Sequence, residues 1–88
     1  MRRKRFIIDL TSVKSAAGLH AALRRALPLP DYYGDNLDAL HDVLTEFGAT
    51  WTLIFRGTPP AGLREACEDS VEETPGLVVQ FVTPRAKA

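Results

Sequence analysis

Three short apolar runs, rich in β-branched and aromatic residues, predict three β-strands in this chain. They lie at residues 5–10, 50–55 and 77–82. The middle run is apolar on both faces apart from its threonines, which predicts a central strand that is covered on both sides.

Between these runs, apolar residues recur at the spacing of an α-helix and predict three helices. The first follows a cap at Ser12 or Ser15 and stops at Pro28, and the third begins at Leu63 and ends near Glu73. The resulting order is β-α-α-β-α-β. Because the strands are joined by long connections, we expect an α/β domain with a small three-stranded parallel sheet and helices packed on it.

The second helix is predicted from about residue 36 to residue 47. Asp35 is the expected N-cap, and Asp38, three residues later, could reach back to it in a variant of the capping box. Gly48 is expected in the left-handed conformation that commonly ends a helix.

This second helix is sharply two-sided. At about 100° per residue, the apolar side comprises Leu37, Leu40, Val43, Leu44 and Phe47. The acidic side comprises Asp35, Asp38, Asp42 and Glu46. Like charges at this spacing destabilise a helix by about 0.2 to 0.5 kcal/mol per pair. The acidic side is therefore either a solvated face or a recognition surface.

Charge is distributed unevenly along the chain of 88 residues. Lysine and arginine number 11, as do aspartate and glutamate, so net charge favours neither a nucleic-acid binder nor a protein bound to a membrane surface. Residues 31–73 nevertheless sum to −8 and the remainder to +8. An acidic surface that meets a basic partner is the expectation. The basic start at residues 2–5 lacks interleaved aromatic residues and is interpreted as solubilising or anchoring.

Length and cysteine content limit the number of domains and the cellular compartment that we expect. A chain of this length, 45% apolar, is expected to form a single domain over residues 1–88. The one cysteine, Cys67, cannot form an internal disulfide, which favours a reducing cytoplasm. No apolar run approaches the roughly 20 residues that cross a membrane, and Asp9 interrupts the apolar run that a signal peptide would need.

The segment LPLPDYYGDNLDALHDVLT, at residues 27–45, resembles the signature segment of the barstar family. Members of that family are intracellular inhibitors of the secreted ribonuclease barnase. The resemblance implies three parallel strands with helices packed on the sheet. It also implies that the acidic helix and the loop before it block a nuclease active site.

The resemblance assigns roles to individual positions. Asp42 matches the aspartate that family members insert among the cationic groups of the nuclease. Asp38 matches a second interface aspartate, and Tyr32 matches the tyrosine that packs on the catalytic histidine. The partner-binding residues implied are Tyr32, Tyr33, Gly34, Asn36, Asp38, His41, Asp42 and Glu46. Barstar has tryptophan, glycine and tryptophan where this chain has His41, Glu46 and Phe47. A further contact glutamate of the family could correspond to Glu65, Glu68, Glu72 or Glu73.

Other chemistry has weaker support in the sequence. Cys67 with His20 or His41 could form a nucleophile and base, but its place on an apolar stripe favours a buried structural thiol. Asp38, His41 and Asp42 amount to half a metal site. We therefore expect no catalytic residue, metal or cofactor, and no direct contact with nucleic acid or membrane. The expected partner is a basic extracellular-type ribonuclease, bound one to one by a free monomer; the alternative is an acidic interaction module for a different basic protein.

Overall fold

A computed structural model describes residues 2–83 of the chain. The elements are β1 (Lys4–Asp9), α1 (Ala16–Ala26), α2 (Leu37–Phe47), a 3-10 turn (Gly48–Thr50), β2 (Trp51–Arg56), α3 (Leu63–Glu73) and β3 (Val78–Val82). The α/β class and the order β-α-α-β-α-β predicted from the sequence are confirmed. The described residues do not include Met1, Arg85 or Lys87. The two basic residues were part of the charge count above.

The three strands form one parallel sheet in the order β1-β2-β3. The central position predicted for β2 is confirmed, and its Leu53 and Phe55 are fully buried. Its alternate residues, Thr52 and Ile54, are only partly buried, and the neighbouring Ile7 on β1 is 56% exposed. Coverage on both faces was therefore a wrong prediction: the second face carries no helix in the described part of the chain.

Helices α1 and α3 contribute their apolar stripes to the core. The Ser15 side chain caps α1 by accepting a hydrogen bond from the amide of Gly18 at 3.1 Å, so Ser15 rather than Ser12 is the cap. From α1, Leu23 enters the core, and from α3, Leu63 and Cys67 do so. Each helix is 11 residues long, enough for about three turns over the sheet.

Helix α2 differs from the prediction at both ends. Its N-cap is Asn36, whose Oδ1 accepts a hydrogen bond from the amide of Ala39 at 2.7 Å, so Asp35 lies outside the helix. With the cap one residue later, Asp38 is not at the third helical position and cannot complete a capping box. Gly48 has φ −86°, not a left-handed value, and the chain continues into the 3-10 turn.

Two glycines allow close packing around α2. A Cβ atom at Gly48 would lie 3.1 Å from Leu77 Cδ1, so a side chain at this position would require Leu77 to shift. Gly62 has φ 85° and caps α3; a Cβ there would lie 2.7 Å from Leu37 Cδ1. The start of α3 therefore approaches α2 closely. Within residues 2–83, none of the helices combines the length and apolarity needed to cross a membrane.

Candidate functional site

The exposed side of α2 and the loop before it form a shallow groove of about 260 Å³. Its lining residues are Tyr32, Tyr33, Gly34, Asn36, Asp38, Ala39, Asp42, Val43 and Glu46. The structure thus brings together every partner-binding residue predicted from the sequence except His41. They lie together because Asn36 begins the helix immediately after the loop that carries the tyrosines.

Three carboxylates follow one another along α2 on the rim of this groove. Asp38, Asp42 and Glu46 are all exposed, and the Asp42 side chain is 83% accessible to solvent. Within the described ranges none of the three pairs with a lysine or arginine, and the last turn of α2 contains no base. An unneutralised row of this kind presents a strong negative potential to an approaching molecule.

Asp35 does not belong to this row, contrary to the four-carboxylate prediction. Its φ is 55°, and it sits before the helix, where its Oδ1 accepts a hydrogen bond from Arg24 Nε at 2.9 Å. Arg24 is 11 residues earlier, on α1, so helical periodicity around α2 could not reveal the pair. Three carboxylates, not four, are therefore free to meet a partner.

The two tyrosines of the loop have different environments. Tyr32 is 72% exposed, whereas Tyr33 is only 4% exposed and its hydroxyl lies 2.6 Å from Nδ1 of the buried His20. Burial raises the pKa of Tyr33 to about 12 and lowers the pKa of His20, so both are neutral near pH 7. Tyr32 can contact a partner through its ring, while Tyr33 supports the groove from beneath. His20 is thus a buried packing residue.

His41 does not line the groove but lies between Asp42 and α3, with its Nδ1 3.9 Å from Oδ1 of Asp42. Its Nε2 lies 3.0 Å from Oε2 of Glu73, and its side chain is 28% exposed. Glu73 is thereby the one of the four candidate glutamates with a described contact to α2. Periodicity within one helix carries no signal for this pair, because it depends on how α2 and α3 pack.

Helix α3 extends the negative surface. Its exposed acidic residues are Glu65, Glu68, Asp69, Glu72 and Glu73. The one base in the helix, Arg64, stacks on the ring of Phe81 with 4.5 Å between the guanidinium carbon and the ring centroid. Glu73 borders the α2 row through His41, whereas Glu68 lies on the side of α3 that faces Val79 and Phe81 of β3, so only part of this acidic set adjoins α2.

The geometry does not support the cysteine–histidine pair or the metal site considered above. Cys67 is fully buried, and burial raises the pKa of its thiol to about 12, which opposes formation of a thiolate. His20 and His41 make hydrogen bonds to Tyr33 and Glu73 instead. Among residues 2–83 no group of three or more histidine, cysteine, aspartate or glutamate side chains is arranged to hold a metal ion.

Comparison with known proteins shows both a family and a named relative. A family model described as "Barstar (barnase inhibitor)" matches residues 3–80. A protein of Bacillus subtilis (strain 168) named "Putative ribonuclease inhibitor YrdF" is 48% identical over 42 residues, which are 48% of this chain and 46% of that protein. The chain thus matches about half the length of this relative. The family match includes the whole groove and most of β3.

Proposed function

Because this chain belongs to the barstar family, whose members are inhibitors rather than enzymes, we propose that it inhibits a basic, barnase-like ribonuclease. The observation that carries the proposal is the row of Asp38, Asp42 and Glu46 beside the exposed ring of Tyr32 in one groove. The relative named as a ribonuclease inhibitor supports the same activity.

The proposed mechanism is occupation of the nuclease's phosphate-binding groups. A ribonuclease must hold the RNA phosphate with cationic side chains, and carboxylates can take the place of the phosphate through charge-assisted hydrogen bonds. Asp42 lies in the middle of α2 with Asp38 one turn before it, so both can enter one cleft. Glu46 lies in the last turn and remains at the wet rim.

The tyrosine loop would supply the apolar part of the interface. The exposed ring of Tyr32 offers a large rigid surface to a partner group at low entropic cost. Asn36 Nδ2 donates a hydrogen bond to the carbonyl of Gly34 at 3.2 Å, which shapes the entry into α2. In this proposal Tyr33, Gly34 and Asn36 act mainly by fixing the shape of the groove.

We assign His41 and Glu73 to the border of the same interface. His41 connects the α2 row to the acidic surface of α3 through Glu73. A nuclease with cationic groups around its cleft would meet Glu73 at the edge of the surface that contains Asp38 and Asp42. Among the four glutamates of α3 considered above, Glu73 is the proposed contact.

The remaining features of the proposal follow from charge and thiol chemistry. An acidic groove repels RNA phosphate, so the chain would act on the nuclease and not on RNA, with no cofactor. Its buried thiol, Cys67, makes no disulfide, which agrees with a cytoplasmic location. We expect a free monomer that binds one nuclease molecule, because a single groove carries the row.

Titration of the purified chain against a panel of barnase-like ribonucleases in an RNA cleavage assay tests the proposal. We expect that the chain itself does not cleave RNA. We also expect that it inhibits one nuclease of the panel, and that inhibition is complete at a one-to-one molar ratio. A double variant, Asp38→Asn with Asp42→Asn, is the matched control and should leave the nuclease active. Failure against the whole panel, together with capture of an unrelated basic protein, would instead support the acidic interaction module.

A further inference from the structure

Arg24, on α1, makes three contacts with the loop before α2. Its Nη2 donates a hydrogen bond to the carbonyl oxygen of Tyr33 at 2.8 Å, and its Nε donates to Asp35 Oδ1 at 2.9 Å. Its guanidinium carbon also lies 5.3 Å from the centroid of the Tyr33 ring. A side chain outside the groove therefore holds both the backbone and a carboxylate of the loop that forms one of its walls.

One residue of the held segment has a left-handed backbone conformation, which aspartate adopts more readily than most residues with a Cβ atom. Asp35, with φ 55°, is the one non-glycine residue with positive φ in the described part of the chain. Left-handed backbone is uncommon for residues with a Cβ atom, and it persists when surrounding contacts impose it. Asp35 immediately precedes the N-cap Asn36, so its conformation sets the angle between the loop and α2.

We infer that Arg24 is a positioning residue of the inhibitory surface, an inference that rests on the proposed function. By fixing Tyr33 and Asp35, it holds the exposed ring of Tyr32 and the start of α2 in the arrangement that the nuclease meets. Such preorganisation strengthens binding because the loop does not have to be ordered during association.

Electrostatics alone gives the opposite expectation for this residue. Arg24 is positive and lies beside an acidic groove, where it would repel a cationic nuclease and partly cancel steering. Its pair with Asp35 is also half-exposed, with side-chain accessibilities of 42% and 54%, so the pair contributes little to global stability. Charge alone therefore predicts tighter binding when Arg24 is removed, whereas positioning predicts weaker binding.

The two effects separate in binding kinetics. For Arg24→Ala we expect a dissociation rate about tenfold higher than that of the wild-type chain, with an association rate equal or higher. Arg24→Lys retains the charge but not the planar fork that reaches two acceptors, and it should also dissociate faster. Arg25→Ala is the matched control: Arg25 is an exposed neighbour on α1 with the same charge, and its dissociation rate should equal that of the wild type.

The measurement is stopped-flow association and dissociation with a barnase-like nuclease that the wild-type chain inhibits. Melting by circular dichroism accompanies it, and Tm of Arg24→Ala should fall by less than about 5 °C. Asp35→Asn, which weakens the ion pair from the loop side, should raise the dissociation rate in the same direction. If Arg24→Ala unfolds, Arg24→Lys decides, because it keeps the positive charge and loses only the contacts of the planar guanidinium.

Equal dissociation rates for Arg24→Ala, Asp35→Asn and the wild type would overturn the positioning role while leaving inhibition intact. A wild-type chain that inhibits no barnase-like nuclease would instead refute the proposed function on which the inference rests.

Discussion

Nε2 of His41 on α2 lies 3.0 Å from Oε2 of Glu73 on α3. The contact joins the carboxylate row of α2 to the acidic exposed side of α3. It also distinguishes Glu73 from the other acidic residues of α3, because it fixes the direction in which this carboxylate extends. Glu73 is for this reason the member of α3 that we expect a nuclease to contact.

Glu73→Gln should weaken binding to the nuclease by about 1 kcal/mol, because a partly exposed charge pair at the edge of an interface is lost. Glu65→Gln, on the same helix but without a described contact to α2, should change affinity by less. Isothermal titration with the same nuclease compares the two. Equal losses would show that Glu73 acts only through the net charge of α3.

Asp42→Ala should weaken binding by about 3 kcal/mol or more, since it leaves cationic groups of the nuclease buried without a partner. Glu46→Ala should cost under about 1 kcal/mol and act mainly on the association rate, because Glu46 lies in the last turn. Isothermal titration and stopped-flow kinetics measure both effects. Small and equal losses would contradict insertion of α2 into an active site.

The same substitutions should not destabilise the fold. Asp42 stands four residues from both Asp38 and Glu46, and each like-charge pair at this spacing costs about 0.2 to 0.5 kcal/mol. The free energy of unfolding of Asp42→Ala in urea should therefore equal or slightly exceed that of the wild type. A marked fall would mean that Asp42 has a structural role.

Ionic strength should affect association more than dissociation. In the proposed complex the exposed carboxylates would attract a cationic nuclease over distances that salt screens, with a Debye length of about 8 to 10 Å near physiological conditions. Stopped-flow measurements between low and high salt should show a falling association rate and a nearly constant dissociation rate. An association rate independent of salt would argue against docking through the acidic row.

His20 should make the fold less stable in mild acid. Burial lowers its pKa from 6.5; the negative charge of Asp35 opposes this shift, and the positive charge of Arg24 reinforces it. Between the lowered pKa and 6.5 the unfolded chain binds a proton that the folded chain does not. The free energy of unfolding should therefore be highest above pH 6.5 and should fall below it, by at most about 1.4 kcal/mol per pH unit.

Urea unfolding of the wild type and of His20→Asn between pH 5 and pH 8 isolates this contribution. Asparagine removes the titrating ring but keeps an acceptor for the Tyr33 hydroxyl, and other titrating groups are common to both proteins. The wild type should lose more stability than His20→Asn as the pH falls. Parallel pH profiles would show that His20 does not titrate as described.

Local pattern was enough to predict the strands, the helices and the acidic row, because alternation and helical spacing depend on neighbours in sequence. Local pattern did not predict that Asp35 lies outside α2, because its carboxylate pairs with Arg24, which is distant in sequence and lies on α1. It also did not reveal the pairing of His41, since that contact arises from the packing of α2 on α3. The open side of the sheet was missed because Ile54 is apolar whether or not a helix covers it, and Thr52, on the same face, is common in strands of either kind.

The depth of Cys67 has a practical consequence for labelling. Its fully buried thiol, with a pKa of about 12, should not react with maleimide in the folded chain, and the sequence contains no other cysteine. Gln80 is exposed on the helix-free side of the sheet, in register with Ile54. A cysteine introduced at Gln80 would therefore take a fluorophore at one defined place, with the sheet between the dye and the groove on α2.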